Sequence, residues 1–173
     1  MFKQLIFVVE TDEKSKSDYI YISSILELRY NFRLRTDIKV SIVYMGGKGN
    51  YNKKNVCNKI ANFRKMYSLG KSYVIYCFDT DKYDSNPDEL KTFNDKCSYC
   101  KDMNFDLVWF CHDIEEVFLG KSVLKHEKTD KAKEYSKKCW VNKVDLNMLK
   151  TETISKKHSN LLLVLDKYYQ DEE

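Results

Sequence analysis

The sequence predicts an α/β fold in which a mostly parallel sheet of four strands, or slightly more, has helices on both faces. Short apolar runs alternate along the chain with longer segments in which apolar residues recur at helical spacing. The apolar runs are almost continuous, which is typical of parallel strands that are covered on both faces. With 173 residues, 43% of them hydrophobic, the chain can bury a core of its own.

Four segments have the composition of buried strands, because they are short, apolar and rich in β-branched or aromatic residues. They comprise residues 4–9, 38–45, 72–78 and 105–111. The third is the clearest apolar run, so we expect it to lie inside the sheet and parallel to the first. The second ends at Gly46-Gly47, which predicts a turn with a close backbone approach.

Helical spacing of apolar residues predicts helices between and after these strands. The helical segments are residues 15–32, 53–68, 88–102 and 114–119, and the pattern of 121–173 is largely helical as well. Ser15 or Ser17 is a candidate cap for the first helix. The apolar run from Leu161 to Leu165 anchors the last one.

The chain is expected to form one domain, residues 1–173, because five glycines and one proline leave no long flexible linker. A break near Gly120 divides this domain into an α/β core, 1–120, and a helical extension, 121–173. The apolar N-terminal run is too short for a signal peptide. No stretch approaches the roughly 18 consecutive apolar residues that a membrane helix needs. We therefore expect a cytoplasmic protein without a membrane segment.

The basic residues are concentrated beyond Gly120. The formal net charge is only +4, too small an excess to indicate nucleic-acid binding by itself. The lysines of this segment are Lys121, Lys125, Lys128, Lys131, Lys133, Lys137, Lys138, Lys143, Lys150, Lys156 and Lys157. They form either a solvated helix face or a surface that follows nucleic-acid phosphates. In the second interpretation, Lys137 and Lys138 are candidate phosphate contacts, as is Lys48 beside the glycines.

Acidic residues follow three of the four predicted strands. These residues are Glu10 after the first strand, Asp79 and Asp81 after the third, and Asp113, Glu115 and Glu116 after the fourth. Ligands of parallel α/β sheets bind beyond the carboxyl ends of the strands, where these side chains would meet. Asp79 and Asp81 are expected to point to the same side. Crowded carboxylates repel one another, and a hard cation such as Mg²⁺ relieves the repulsion. Turns and helix caps are the alternative role for each acid.

Three features of the sequence together resemble the Toprim pattern. They are a strand that ends in Glu10, a glycine turn after the next strand, and a strand that ends in Asp79-Thr80-Asp81. Topoisomerases, primases and nucleases of the overcoming-lysogenization-defect type share this pattern. Within the class, the chain is most similar to RloB-like proteins and other small Toprim domains of abortive-infection systems. Residues 114–119 resemble their next acidic motif, and residues 159–161 are faintly similar to their serine-bearing helix. The likeness covers residues 4–120.

The resemblance implies a nuclease that uses Mg²⁺ or Mn²⁺ to cleave DNA or RNA, as an effector of bacterial or phage defence. By the same resemblance, Asp79 and Asp81 would be the main metal ligands, and Glu10 would be a general base or a further ligand. Glu115 or Glu116 would complete the cluster, with an ambiguity of one residue. Such proteins often act with a partner ATPase, and the glycines of this chain lack the spacing of a nucleotide-binding P-loop.

The sequence departs from the RloB-like pattern at two places, since Glu10 is followed by Thr11 rather than glycine, and His112-Asp113 replaces an Asn-Pro pair. His112 itself is either an acid or a structural histidine. A second function therefore stays open, a non-catalytic Toprim-like module that binds nucleic acid or a partner protein. A flavodoxin- or receiver-like domain is disfavoured, because the loop after the first strand is too acidic to bind a flavin phosphate.

Overall fold

The computed structural model of the protein describes residues 1–169 and shows an α/β fold built on a four-stranded, all-parallel sheet. The strands are β1 (Lys3–Val9), β2 (Ile38–Tyr44), β3 (Lys71–Asp79) and β4 (Asp106–Phe110). Their order in the sheet is β2-β1-β3-β4. The predicted position of β3, inside the sheet and parallel to β1, is confirmed.

Six α-helices accompany the strands in the described part of the chain. They are α1 (Ser17–Tyr30), α2 (Lys54–Met66), α3 (Pro87–Asp102), α4 (Ile114–Leu119), α5 (Lys128–Lys137) and α6 (Leu161–Tyr169). The first four begin and end within two residues of their predicted bounds. No helix within residues 1–169 combines the length and the apolar character needed to cross a membrane.

The sheet separates two apolar cores, and alternate side chains of β1 enter each of them. Leu5 and Phe7 pack in the core formed with α1, α4, α5 and α6, whereas Ile6 and Val8 pack in the core formed with α2 and α3. All four side chains are fully buried. Burial on both faces explains why β1 has a continuous apolar sequence instead of an alternating one.

The extension beyond Gly120 is less helical than its sequence pattern predicts. Within residues 121–169 only α5 and α6 are α-helices, and Trp140–Lys143 and Leu146–Leu149 form single 3₁₀ turns. Cys139 has a left-handed backbone with φ of 51°, which ends the helical path after α5. The apolar residues of the turns pack against the core that includes α1 and α6. They are therefore buried although no longer helix forms. Residues 170–173 of the predicted helical segment lie outside the described residues.

The prediction of a serine cap for α1 is wrong. Lys16 occupies the N-cap position with φ of 53°, and no side chain among residues 1–169 caps the helix there. Ser17 is already the first helical residue, and its buried hydroxyl has no hydrogen-bond partner within residues 1–169. Asp18 instead accepts a hydrogen bond from the backbone N–H of Thr11 at 3.2 Å. The start of α1 is thereby tied to the chain that leaves β1.

The side chain of Asn160 forms hydrogen bonds with two backbone groups of β4, which is an edge strand of the sheet. Its Oδ1 accepts from the N–H of Trp109 and its Nδ2 donates to the carbonyl of Leu107, both at 2.9 Å. We expect Asn160→Ala to lower the free energy of unfolding by about 1–3 kcal/mol, because two backbone groups lose their partner. Urea denaturation measures the change. Asn142→Ala, at an exposed position of the same extension, is the control and should cost less than about 0.5 kcal/mol. Equal losses in the two variants would contradict this role.

Candidate functional site

Glu10 lies directly beyond β1, and the turn after β2 fixes its backbone. The N–H of Gly47 donates to the carbonyl of Glu10 at 2.8 Å, and the N–H of Gly46 donates to the carbonyl of Thr11 at 3.2 Å. Gly46 and Gly47 have φ values of 68° and 139°, which favour glycine over residues with a side chain. The predicted glycine turn is confirmed, and its hydrogen bonds hold Glu10 at the carboxyl edge of the sheet.

A buried lysine binds the carboxylate of Glu10. Its Oε1 accepts from Lys96 Nζ at 3.0 Å and from the N–H of Asp79 at 3.3 Å. Lys96 comes from α3, is 1% exposed, and places its ammonium 4.5 Å from the ring centroid of Phe78. Burial raises the pKa of Glu10 and Lys96 opposes that effect, with the result that the pKa stays above its usual value. Glu10 is therefore both more basic than an ordinary glutamate and firmly positioned.

Asp79 is the last residue of β3 and lies next to Glu10. Its Oδ1 accepts from the N–H of Ile114, the first residue of α4, at 2.9 Å. Burial raises the pKa of Asp79 well above its usual range, and the negative charges of Glu10 and Asp18 raise it further. In the absence of a cation, the ionised form of this carboxyl is therefore strongly disfavoured.

Asp81 and Asp79 contact different parts of the protein, since Asp79 binds the start of α4 and Asp81 binds Lys48. The chain leaves the extended conformation after β3, and Asp81 has φ of 50°. Its Oδ2 accepts from Lys48 Nζ at 3.0 Å, and the same ammonium lies 2.9 Å from both carboxylate oxygens of Glu89 on α3. The expected common direction of Asp79 and Asp81 requires an extended strand through both residues, and the strand stops at Asp79. Lys48, the predicted phosphate contact, is here held by two carboxylates.

The two glutamates of α4 have different surroundings. Glu115 is fully buried, its Oε2 accepts from Lys128 Nζ at 2.7 Å, and its Oε1 has no partner within residues 1–169. Burial raises the pKa of Glu115, and its charge in turn raises the pKa of Asp79. Glu116 instead accepts from the backbone N–H of His112 at 3.0 Å. Of the two glutamates, Glu115 is thus the one whose charge acts on Asp79.

Asp113 and His112 have structural roles beside the site. Asp113 is the N-cap of α4, and its Oδ1 accepts from the N–H of Glu116 at 2.7 Å. The ring of His112 lies between the carboxylates of Asp84 and Glu116, at 3.0 and 3.1 Å. Burial lowers the pKa of His112, but these two acids outweigh it, so the pKa is raised.

Asp18 belongs to the same group of acids, although it does not follow a strand and the sequence pattern does not single it out. Burial, followed by the charges of Glu10 and Glu115, raises the pKa of Asp18 to about 7. Its position in the first turn of a helix that begins shortly after Glu10 was the available indication. Acids in a first helical turn are common for reasons of helix stability alone, so the sequence pattern was not specific.

Lys96 was missed as well, although its spacing carried an indication. Phe93, Lys96 and Cys100 are three and four residues apart, and all three are buried on the same side of α3. A lysine within the apolar stripe of a helix needs a buried anion, since an isolated ammonium is costly away from water. In this fold the anion is Glu10.

We define the acidic site as the carboxylates of Glu10, Asp18, Asp79 and Glu115 together with the ammonium groups of Lys96 and Lys128. Four carboxylates face two ammonium groups, so two negative charges remain uncompensated when all six groups are ionised. A divalent cation carries the matching charge, and carboxylate oxygens are the ligands that Mg²⁺ and Mn²⁺ prefer. The Oε1 of Glu115, which has no hydrogen-bond partner in the described part of the chain, is a further acceptor.

The acidic site therefore fits a divalent cation in charge and in donor chemistry. Its carboxylates are nevertheless spread out, since within residues 1–169 no group of three or more His, Cys, Asp or Glu side chains is arranged to hold a metal ion. The expectation that Glu10, Asp79 and Asp81 share one ion stays a prediction.

Lys137 is the last residue of α5 and Lys138 follows it as the C-cap, at the other end of the helix from Lys128. Lys128 and Lys137 are nine positions apart, which corresponds to about 13 Å along the helix axis. Both terminal lysines are exposed, and Lys138 Nζ donates to Glu134 at 2.6 Å and lies 5.2 Å from the ring centroid of Trp140. The basic segment thus contributes Lys128 to the acidic site and leaves its other lysines on the surrounding surface.

Comparison with known proteins assigns the chain to no family. No family model, curated protein or solved structure matches it.

Proposed function

We propose that the protein is a cytoplasmic, metal-dependent nuclease of Toprim type that cleaves phosphodiester bonds of DNA or RNA as a defence effector. The observation that carries this proposal is the hydrogen bond between Glu10 and the backbone of Asp79, which joins two acids at the carboxyl ends of neighbouring parallel strands. Both acids have raised pKa values, and two further carboxylates add to the negative potential around them. Such an arrangement favours a divalent cation.

The chemistry assigned to each group follows from its surroundings. Mg²⁺ or Mn²⁺, held by Asp79 with Asp18 or Glu115, and by Asp81 where it reaches the ion, would polarise a phosphoryl oxygen and activate water. Glu10 accepts the proton of the attacking water, because its raised pKa makes it a stronger base than an ordinary glutamate. Lys96 holds Glu10 in place for that role.

Substrate binding requires positive charge outside the acidic site, since the site itself repels phosphate. Lys137 and Lys138 are proposed phosphate contacts on the exposed end of α5. Lys48 becomes a third contact if substrate displaces it from Asp81 and Glu89, to which it is bound at about 3 Å. Each phosphate that these lysines neutralise on a single strand is expected to add about 0.7 to the slope of binding against salt.

The direct test is cleavage of plasmid DNA, single-stranded DNA and RNA with either metal. We expect wild-type protein to cleave at least one of these substrates, and Asp79→Asn to reduce the rate at least about 100-fold, as the loss of a group required in the transition state does. Asp95→Asn, which neutralises an exposed aspartate of α3, is the matched control and should leave the rate unchanged. Absence of cleavage with both metals, alone and with a candidate partner ATPase, would contradict the proposal.

A non-catalytic module is the second candidate function, and the lysine pairs favour it. Lys96 and Lys128 neutralise Glu10 and Glu115 in the absence of any metal, so the acids also serve as buried ion pairs, one of which holds α3 to the sheet edge and the other α5 to α4. In that case nucleic acid or a partner protein would bind without chemistry. Equal affinity of wild type and Asp79→Asn for nucleic acid, together with no cleavage, is the result that supports this function.

A further inference from the structure

A cleft of about 540 Å³ lies where α4, α5 and the two 3₁₀ turns of the extension meet. Its lining combines apolar side chains, among them Val117, Val144 and Met148, with the half-buried indole of Trp140. Four lysines also line it, namely Lys121, Lys131, Lys143 and Lys157. The volume falls within the usual range for small-ligand sites, and a mainly apolar lining with a few charged groups is typical of them.

The charge available in this cleft is positive. Among residues 1–169, Lys121, Lys143 and Lys157 form no ion pair, whereas Lys131 is paired with Glu134 at 3.0 Å. The two acids of the lining, Glu116 and Asp145, accept hydrogen bonds and keep their charge, so they reduce the positive excess of the lysines without cancelling it. The carboxylate of Glu116 accepts hydrogen bonds from His112, and that of Asp145 accepts from the N–H of Asn147 at 3.0 Å. A ligand that fits must therefore offer a negative charge beside an apolar, preferably flat, part.

One short helix, α4, connects the acidic site to the cleft. α4 begins at Ile114, whose N–H binds Asp79, and ends at Leu119, which lines the cleft. Six residues of α-helix span about 9 Å. A nucleic-acid strand with one phosphodiester at Asp79 would therefore reach the cleft within a few nucleotides.

We propose that this cleft binds one nucleotide, with its base against Trp140 and the apolar lining and its phosphate at Lys121 and Lys143. Tryptophan is a strong stacking partner for every base, and free lysines recognise phosphate, so the two halves of the lining match the two halves of a nucleotide. The inference rests on the proposed function, because it assigns a substrate subsite to the same nuclease. The nucleotide is either part of the strand that reaches the acidic site or a free nucleotide.

The test follows the fluorescence of Trp140. Trp109→Phe removes the only other tryptophan, which is buried in the core, and leaves Trp140 as the reporter. The titration uses an Asp79→Asn background with a chelator, so that no cleavage accompanies binding. The ligands are thymidine 5′-monophosphate, a short oligothymidylate and inorganic phosphate. Isothermal calorimetry on the chain with both tryptophans gives a second measurement, in case Trp109→Phe disturbs the core.

We expect one of the two nucleotide ligands, or both, to quench Trp140, and phosphate alone to bind at least tenfold more weakly than that ligand. Lys121→Glu with Lys143→Glu should weaken nucleotide binding at least tenfold. Lys125→Glu with Lys133→Glu makes the same change of charge at exposed positions outside the lining, and should weaken binding less than threefold. Tighter binding of the oligothymidylate assigns the cleft to a strand, and equal affinity for the mononucleotide assigns it to a free nucleotide.

Three results would overturn the inference: no binding of either nucleotide ligand at millimolar concentration, equal affinity for phosphate alone, or equal losses in the two lysine pairs. The outcome is separable from that of the proposed nuclease. If nucleotide binds in the cleft but the wild type shows no metal-dependent cleavage, the proposed nuclease activity is contradicted and the proposed nucleotide site stands. If the wild type cleaves nucleic acid but no nucleotide binds in the cleft, only the proposed nucleotide site is contradicted.

Discussion

Lys96→Met is expected to lower the free energy of unfolding at neutral pH by about 3–5 kcal/mol, the range for removal of one partner of a buried ion pair. Lys96 is 1% exposed, and its ammonium lies 3.0 Å from the carboxylate of Glu10, which is 15% exposed. The variant leaves that carboxylate without a counterion in a largely dry environment. Methionine is unbranched and fills a similar volume, so the loss of packing against Phe78 is small. The effect is therefore mainly electrostatic.

The pH dependence and a double variant check this explanation. Burial already holds the pKa of Glu10 above its usual 4.5, and loss of Lys96 raises it further. An acid whose pKa is higher in the folded than in the unfolded state loses stability as pH rises from the unfolded value through the folded one. The deficit of Lys96→Met should thus be small near pH 4 and largest above neutral pH. Glu10→Gln in the same chain should restore most of the loss, since the amide oxygen still accepts from Asp79.

Lys59→Met is the matched control for chemical denaturation. Lys59 pairs with Glu13 at 2.9 Å, but both side chains are exposed to solvent, so we expect a change below about 1 kcal/mol. A loss in Lys96→Met that does not depend on pH, or that persists in the double variant, would mean that packing rather than charge explains the role of Lys96.

The sequence was sufficient for the strands and for the helices of the core because their patterns are local. β1 and β3 are buried on both faces, and that environment requires a continuous apolar run that no loop would have. The extension is less predictable, because its apolar residues are buried by contact with α1 and α6 without forming a longer helix. Trp140 and Val144 are four residues apart, and Leu146 and Leu149 are three apart, which is the spacing that a longer helix would also have. Periodicity alone cannot separate these two solutions.

The acidic site was only partly predictable for a related reason. Glu10 and Asp79 follow directly from the topology, since each comes at the carboxyl end of a parallel strand. The contribution of Lys96 depends on how α3 docks on the sheet, and that of Asp18 depends on the tight turn between β1 and α1. The direction of Asp81 is set by a left-handed backbone that no residue type in the segment required. These are tertiary features, and a local pattern does not encode them.

Asp18→Asn is expected to stabilise the metal-free protein at pH 8, by up to about 4 kcal/mol. Burial and the charges of Glu10 and Glu115 raise the pKa of Asp18 from 3.8 to about 7, and each pKa unit corresponds to about 1.4 kcal/mol. The wild type therefore loses stability as pH rises from about 4 to about 7, the window in which Asp18 must ionise. Asparagine remains neutral and its amide oxygen still accepts from Thr11.

Denaturation curves between pH 4 and pH 8 measure this difference. The gain from Asp18→Asn should vanish near pH 4, where the aspartate is protonated in the folded protein as well, and reach a plateau above pH 7. Asp95→Asn, at an exposed position of α3, should change stability by less than about 0.5 kcal/mol at every pH. A gain that is the same at pH 4 and pH 8 would show that crowding of negative charge is not its cause.

The same crowding makes metal binding visible in the stability of the wild type. A divalent cation that binds only the folded protein stabilises it by about 2.7 kcal/mol at 100 times its dissociation constant. We expect Mg²⁺ or Mn²⁺ to raise the melting temperature of the wild type at pH 8. Asp79→Asn should melt at or above the wild type in chelator, because repulsion is removed, yet gain little from metal, because a ligand is lost. A wild type that responds to pH as described but not to millimolar Mg²⁺ or Mn²⁺ would indicate that Lys96 and Lys128 are the only counterions of these carboxylates. The acidic site would then be structural, and the non-catalytic module would be the better account of the protein.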